Sequence, residues 1–326
     1  MKPARRQFLH LTASAAVLPV LPHAARGQAY PTRPVHILVG LAAGGPTDTA
    51  ARVMAEWFSQ QFKQQFIVEN RTGMGGNLAN QAVFSSLPDG HTLLFTGPNT
   101  TISTALYKKL PYNLFQDSTA VGSMMRFPNI MVVPPNLPIK TVKELIDYAK
   151  ARPGELSLAS SGVGASPHLS GELFKFMTNI DMVHVPYRGS SAVYPDLISG
   201  KVHMLFDNLS GPVLQLIQSG QLRALGVTSA SRWESLPDMP AIAETVPGYE
   251  VTIWYGMFAP RSTSPEIVEA LNRSINAALG NPQVLARIVE GGGRPMPMTI
   301  AEFGKFVRDD VEKWRKVVEF AKISAD

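Results

Sequence analysis

The sequence predicts an α/β protein of two lobes, and three observations carry that prediction. β-Branched runs alternate with segments of helical periodicity; glycine-rich turns join strand to helix; and 326 residues exceed the roughly 250–300 at which a single core tends to split. Strands alternating with helices point to a mainly parallel sheet.

Val35-His36-Ile37-Leu38-Val39 reads as the first strand, ending in the turn Gly40 to Asp48. Asp48 can cap the following helix, in which Ala51, Met54, Ala55 and Phe58 recur at helical spacing through about Phe62. Phe66 to Glu69 is the next strand. The turn Asn70 to Gly76 leads into a small-residue helix from Asn77 to Ser86, and Pro88-Asp89-Gly90 turns into a strand from His91 to Phe95. A polar stretch containing Pro111 and Asp117 follows, then Ile130 to Val133, a strand placed to cross into the second lobe.

Thr141 caps a helix through Lys150, with Glu144 completing a capping box. The βα pattern then repeats. Strands are expected at Leu156–Ala159, Met182–Val185, Val202–Phe206 and Ala224–Val227, and helices at His168–Met177, Ser191–Ser199 and Pro212–Ser219. After a loop-rich section, Val251 to Phe258 supplies a return crossing. Helices at Pro265–Leu279, Pro282–Glu290 and Thr299–Phe320 finish the chain; proline suits a first helical turn, where a missing N–H costs nothing. The expected organisation is a discontinuous domain, residues 30–130 plus 255–326, around an inserted domain, residues 131–254.

Composition narrows the function classes. At 45% hydrophobic and 17% charged residues the chain is neither disordered nor fibrous. The formal charge of +5 comes mainly from Lys2, Arg5, Arg6 and Arg26, in a stretch without acids, so the remainder is near neutral. No clustered basic excess is left to track a nucleic acid. The first 29 residues read as an export signal, with Arg5-Arg6 opening an apolar stretch from Phe8 to Leu21 and small residues up to Ala29. The paired arginines resemble the twin-arginine type, and cleavage is expected near Ala29. That stretch is shorter than a membrane span and is interrupted by Pro19, so the protein is not expected to span a membrane. With no cysteine, thiol catalysis and cysteine-based metal sites are excluded. The histidines beyond the signal, His36, His91, His168, His184 and His203, form no HExxH or HxH pair, so neither metal nor cofactor is expected.

Three turns carry the chemistry, each where a strand feeds a helix: Gly40 to Asp48, Ser160 to His168, and Tyr187 to Ser191. Such turns leave backbone N–H groups free at the positive end of a helix and attract anions. At the carboxyl edge of an open α/β sheet they also lie where ligands bind. Gly44-Gly45 lacks the lysine of a phosphate-binding loop. Gly164-Ala165-Ser166-Pro167-His168 lacks the order of a nucleophile elbow, so His168 reads as a hydrogen-bonded residue near a helix start. Arg188 is the foremost side-chain candidate for a carboxylate, since its planar fork can pair two oxygens. Asp207-Asn208 ends a strand on the same edge, placed to accept from a ligand or from bound water. Trp57, Trp233, Trp254 and Trp314 are widely spaced and read as packing residues.

These motifs, in this order, resemble the substrate-binding proteins of tripartite tricarboxylate transporters, the Bug or TctC-like receptors. The resemblance rests on Gly44-Gly45-Pro46-Thr47-Asp48, Glu69-Asn70-Arg71-Thr72-Gly73 and Pro88-Asp89-Gly90-His91. It continues through Ser160-Ser161-Gly162-Val163-Gly164, His184-Val185-Pro186-Tyr187-Arg188-Gly189, Pro247-Gly248-Tyr249 and Trp254, and covers nearly the whole mature chain. It implies a two-lobed type II periplasmic-binding-protein fold closing over a small organic carboxylate, with membrane transporter subunits as partners and no chemistry on the ligand. Carried over, the ligand-binding positions are Ala42, Ala43, Gly44, Gly45, Thr47 and Asp48; Ser160, Ser161, Gly162, Val163, Gly164, Ala165, Ser166 and His168; and Tyr187, Arg188, Gly189 and Asp207. Leu41-Ala42-Ala43 departs from the Phe-x-Pro that the family often carries before Gly44-Gly45, which predicts a wider or looser first-lobe wall. The alternative readings are an exported α/β hydrolase built on His168, or a co-sensor presenting its ligand to a signalling partner.

Overall fold

The structure is a computed structural model that describes residues 30–209 and 211–323; the expected export signal lies outside the described residues. The chain opens with β1 (Val35–Val39), α1 (Pro46–Phe62), β2 (Phe66–Asn70), α2 (Asn77–Phe84) and β3 (Thr92–Thr96). β1 pairs in parallel with both β2 and β3. Val35, Ile37, Leu38 and Val39 are all buried, as they must be in a parallel strand covered by helices on both faces.

The segment read as a polar stretch holds α3 (Pro98–Leu106) and the short α4 (Leu114–Asp117). Thr100, Thr101 and Ile102 are buried, and Thr101 donates to the buried Asp310 at 2.7 Å, so the threonines satisfy partners inside the molecule instead of facing water. β4 runs from Ser118 to Val133, far longer than the four-residue apolar run suggests, because most of its residues are buried whatever their polarity.

The inserted half contains α5 (Val142–Ala151), β5 (Ser157–Ser160), α6 (Ser166–Thr178), β6 (Val183–Pro186), α7 (Tyr194–Ile198), β7 (Met204–Asn208), α8 (Gly211–Gln218) and β8 (Arg223–Val227). β5 pairs in parallel with β6 and β7. Thr141 caps α5 as expected, but no capping box closes: the Glu144 carboxylate reaches past Thr141 and accepts from Lys140 N–H at 2.6 Å. The chain returns through β9 (Thr252–Pro260), α9 (Pro265–Leu279), α10 (Pro282–Glu290), the two-residue β10 (Arg294–Pro295) and α11 (Ile300–Ala321).

The strand order is β2-β1-β3-β9-β4-β7-β5-β6, with β8 and β10 also on β4. β4 is the spine of both halves. Its residues from Ser118 to Pro128 pair antiparallel with β9, while Asn129 to Val132 pair with β7. The two lobes are thus joined through adjacent antiparallel strands, and the carboxyl edges of β1 and β5 face each other across that neck. α11 ties the lobes a second time, placing Phe303, Val307 and Val311 in a cluster with Leu38 and Leu94 but Trp314 and Val317 in one with Leu158 and Phe174. Trp233, Trp254 and Trp314 are buried packing residues.

Candidate functional site

The first wall of the site is the start of α1. Pro46 occupies the first turn and Gly45 caps the helix with no side-chain acceptor. The first bond closing the helix is Thr49 N–H to Gly45 O at 2.9 Å, so the N–H groups of Thr47 and Asp48 have no carbonyl within the helix to reach. Asp48 is not the N-cap. It lies inside the first turn and accepts from Gly44 N–H, Arg52 and Asn70 at 2.9 Å each, tying the turn from behind. The Arg52 guanidinium beside it brings the carboxyl down to about 2. A methyl group on Gly40 would lie 2.5 Å from Gly76 Cα, so a glycine is what lets this turn close against the turn preceding α2.

The facing wall is the start of α6. Gly162 and Gly164 take φ of +140° and +76°, which turn the chain between β5 and the helix. Ala165 is the N-cap, again without a side-chain acceptor. Behind this turn His168 accepts from Gly164 N–H at 3.1 Å and stacks on His184, ring centroids 3.8 Å apart; His184 Nε2 meets Ser160 Oγ at 2.7 Å. Burial, then the neighbouring His184 and Lys175, lowers His168 to about 3, and burial with Lys175 lowers His184 to about 4. Both rings are therefore neutral at ordinary pH. Since His168 Nδ1 accepts, its proton sits on Nε2, on the side of Glu172. A histidine fixed in this way braces the turn that precedes α6.

Between the walls lies a cavity of about 320 Å³. Of the residues expected to bind, Thr47 and the run Ser161, Gly162, Val163, Gly164, Ala165 and Ser166 line it. Gly44 lines a second cavity, of about 380 Å³, next to the α1 start. Ala42, Ala43, Gly45, Asp48, Ser160, His168, Tyr187, Arg188, Gly189 and Asp207 line neither. Several of these hold the walls. Tyr187 N–H donates to Ser160 O and Gly189 N–H to Ser161 O, which extends the β5–β6 pairing into the turn. Tyr187 Oη donates to Asp196. Asp207 accepts from Ser190 Oγ at 2.7 Å and Tyr194 Oη at 2.6 Å, and burial raises its carboxyl above the ordinary value. Arg188 is exposed and makes no ion pair among the described residues.

The structure adds residues that the motifs did not single out. Asn99, Ile102, Ser103 and Leu106 of α3 form one side of the 320 Å³ cavity, together with Leu41, and Tyr255 lines both cavities, as does Asn208, expected beside Asp207 at the strand end. Asn208 Oδ1 is buried and has no hydrogen-bond partner among the described residues. Tyr255 bonds to Thr47, and its hydroxyl is pushed up to about 12 by burial. A clue to α3 exists in Gly97-Pro98, a helix-start pair, but the following threonines mask it.

Similarity to known proteins agrees with this geometry. The family described as Tripartite tricarboxylate transporter family receptor matches residues 50–323. The chain is similar to the protein BugT of Bordetella pertussis, 34% identical with 89% of each chain covered. Among solved structures it is similar to Rpa4515 of R. palustris with adipate, 38% identical with a TM-score of 0.78, covering 90% of this chain and 99% of that one. It is also similar to MatC of Rhodopseudomonas palustris with bound malate, 30% identical with a TM-score of 0.75, covering 89% and 100%. These likenesses extend along both lobes, and the chain belongs to the tripartite tricarboxylate transporter receptor family, the solute-binding proteins with the two-lobed periplasmic-binding-protein fold.

Proposed function

We propose that this protein is an exported receptor that captures a small organic carboxylate between its lobes and delivers it unchanged to a membrane transporter. The observation that carries the reading is the convergence of two helix starts, α1 and α6, on one cavity from opposite sides. Each start lacks a side-chain cap and so offers backbone N–H groups toward negative charge. A carboxylate leaving water must have its hydration replaced by hydrogen bonds, and paired amide walls do this without a full counter-charge. The acids bound by Rpa4515 and MatC support the same ligand class.

The working unit comprises residues 30–130 plus 255–326 as one lobe and 131–254 as the other, following removal of a signal at residues 1–29. Ligand binding favours the closed form because only there can both walls reach it. The buried, loop-bracing His168 weighs against a hydrolase. Purified protein incubated with mono-, di- and tricarboxylates tests the reading. One class raises the melting temperature by several degrees, since ligand at a hundred times Kd adds about 2.7 kcal/mol, and the acid is recovered intact by mass spectrometry. Turnover of the acid, or no shift with any of the three classes, contradicts it.

A further inference from the structure

The second cavity adjoins the cleft, and its wall is mostly apolar. Val53 from α1, Met124, Met125 and Phe127 from β4, Leu214 from α8 and Ile288 from α10 line it. Its volume of about 380 Å³ is ample for an aromatic ring, given that a cavity of about 150 Å³ in another protein takes up benzene. Little in this chamber could receive a carboxylate. Arg287 on its wall is paired with Glu56 at 2.6 Å, and Glu290 on the same wall repels anions. The chamber draws residues from both lobes, Val53 and Ile288 from one and Leu209 and Leu214 from the other, so its occupancy is coupled to how the lobes sit.

Asn208 and Tyr255 form the junction between the chamber and the cleft. Asn208 borders both cavities, where its side chain can meet a molecule lying across them.

We propose that the two cavities form one bipartite site for an aryl-alkanoic acid. The carboxylate lies against the starts of α1 and α6, the chain passes Asn208 and Tyr255, and the ring fills the chamber of Met124, Met125, Phe127 and Ile288. The inference rests on the receptor reading above and narrows its ligand to acids with an apolar body.

Calorimetric titration with 3-phenylpropionate and with propionate, which shares its head group, tests the assignment. Leu214→Trp obstructs the chamber from α8. Thr49→Trp obstructs it from an exposed position on α1, where folding is not at stake. The native protein binds 3-phenylpropionate at least tenfold more tightly than propionate, and each variant reduces that ratio to about twofold or less. Equal affinity for the two acids in the native protein, or a ratio unchanged in both variants, overturns the bipartite site and leaves the carboxylate receptor standing. If neither acid binds and the wider set of carboxylates also gives no shift, the receptor reading falls with it.

Discussion

Asp207 and Asn208 stand side by side at the end of β7 and have opposite surroundings. Asp207 is filled by Ser190, Tyr194 and its own neighbour's N–H, whereas the Asn208 amide oxygen is unpartnered among the described residues. Asn208→Ala therefore changes unfolding free energy by no more than about 0.5 kcal/mol, measured by urea denaturation, while ligand affinity falls at least tenfold. The sequence pointed to the pair Asp207-Asn208 as the end of a strand on the ligand edge and carried Asp207 forward as a binding position. Successive side chains on a strand point to opposite faces, and nothing in the residue pattern says which face meets the cleft. Arg188 teaches the same lesson: its chemistry suits a carboxylate, but the fold leaves it exposed and outside both cavities. The stacked pair His168–His184 gives a pH prediction. Folded-state values lowered to about 3 and about 4, against an ordinary 6.5, mean that the unfolded chain takes up protons first as the medium is acidified. The stability contributed by the neutral pair is complete above pH 6.5 and is lost as pH falls toward 4 and then 3. Urea midpoints measured from pH 7 to pH 4 fall for the native protein and fall less steeply for His184→Phe.

At the scale of elements, the two helix starts depend on backbone that only small residues permit. Gly40 is the clearest case, because a methyl group there would meet the Gly76 backbone at 2.5 Å. Neither turn can yield without moving the α1 start, so Gly40→Ala costs about 1–3 kcal/mol of stability, read from denaturant unfolding, and weakens binding as well. Element boundaries were legible where local and tertiary signals agreed. β1, α9 and α10 occupy the predicted spans Val35–Val39, Pro265–Leu279 and Pro282–Glu290, the helices being announced by proline starts and strong apolar periodicity. α3 was not legible, although it forms a side of the cleft. Its Asn99, Thr100, Thr101 and Thr104 have low helix propensity, and it persists because Thr100 and Thr101 are buried against Thr96, Asn80 and Asp310. Four of the cavity-lining residues that the motifs did not single out, Asn99, Ile102, Ser103 and Leu106, follow from that one unread helix.

For the whole molecule, the order of strands explains why a cleft exists. β4 and β9 run antiparallel as the joint between two βα sheets, and short crossing segments near Ile130 and Val251 were visible in the sequence as apolar runs. The full length of β4 was not, since its polar Ser123 and Asn129 are buried against partners distant in the chain, Met296 for the first and Ser166 with Ser170 for the second. The same joint carries Phe127, Met124 and Met125 past the α1 start, and Asn129 opposite Asn208, so the strands connecting the lobes also line the space between them. A crystal structure with the acid that most raises the melting temperature is the most direct measurement of interlobe capture. The account predicts carboxylate oxygens about 3 Å from the backbone nitrogen of Thr47 or Asp48 and, in the same molecule, from a backbone nitrogen between Ser161 and Ser166. An acid seated on one lobe alone, or outside the cleft with the two helix starts facing only solvent, contradicts it.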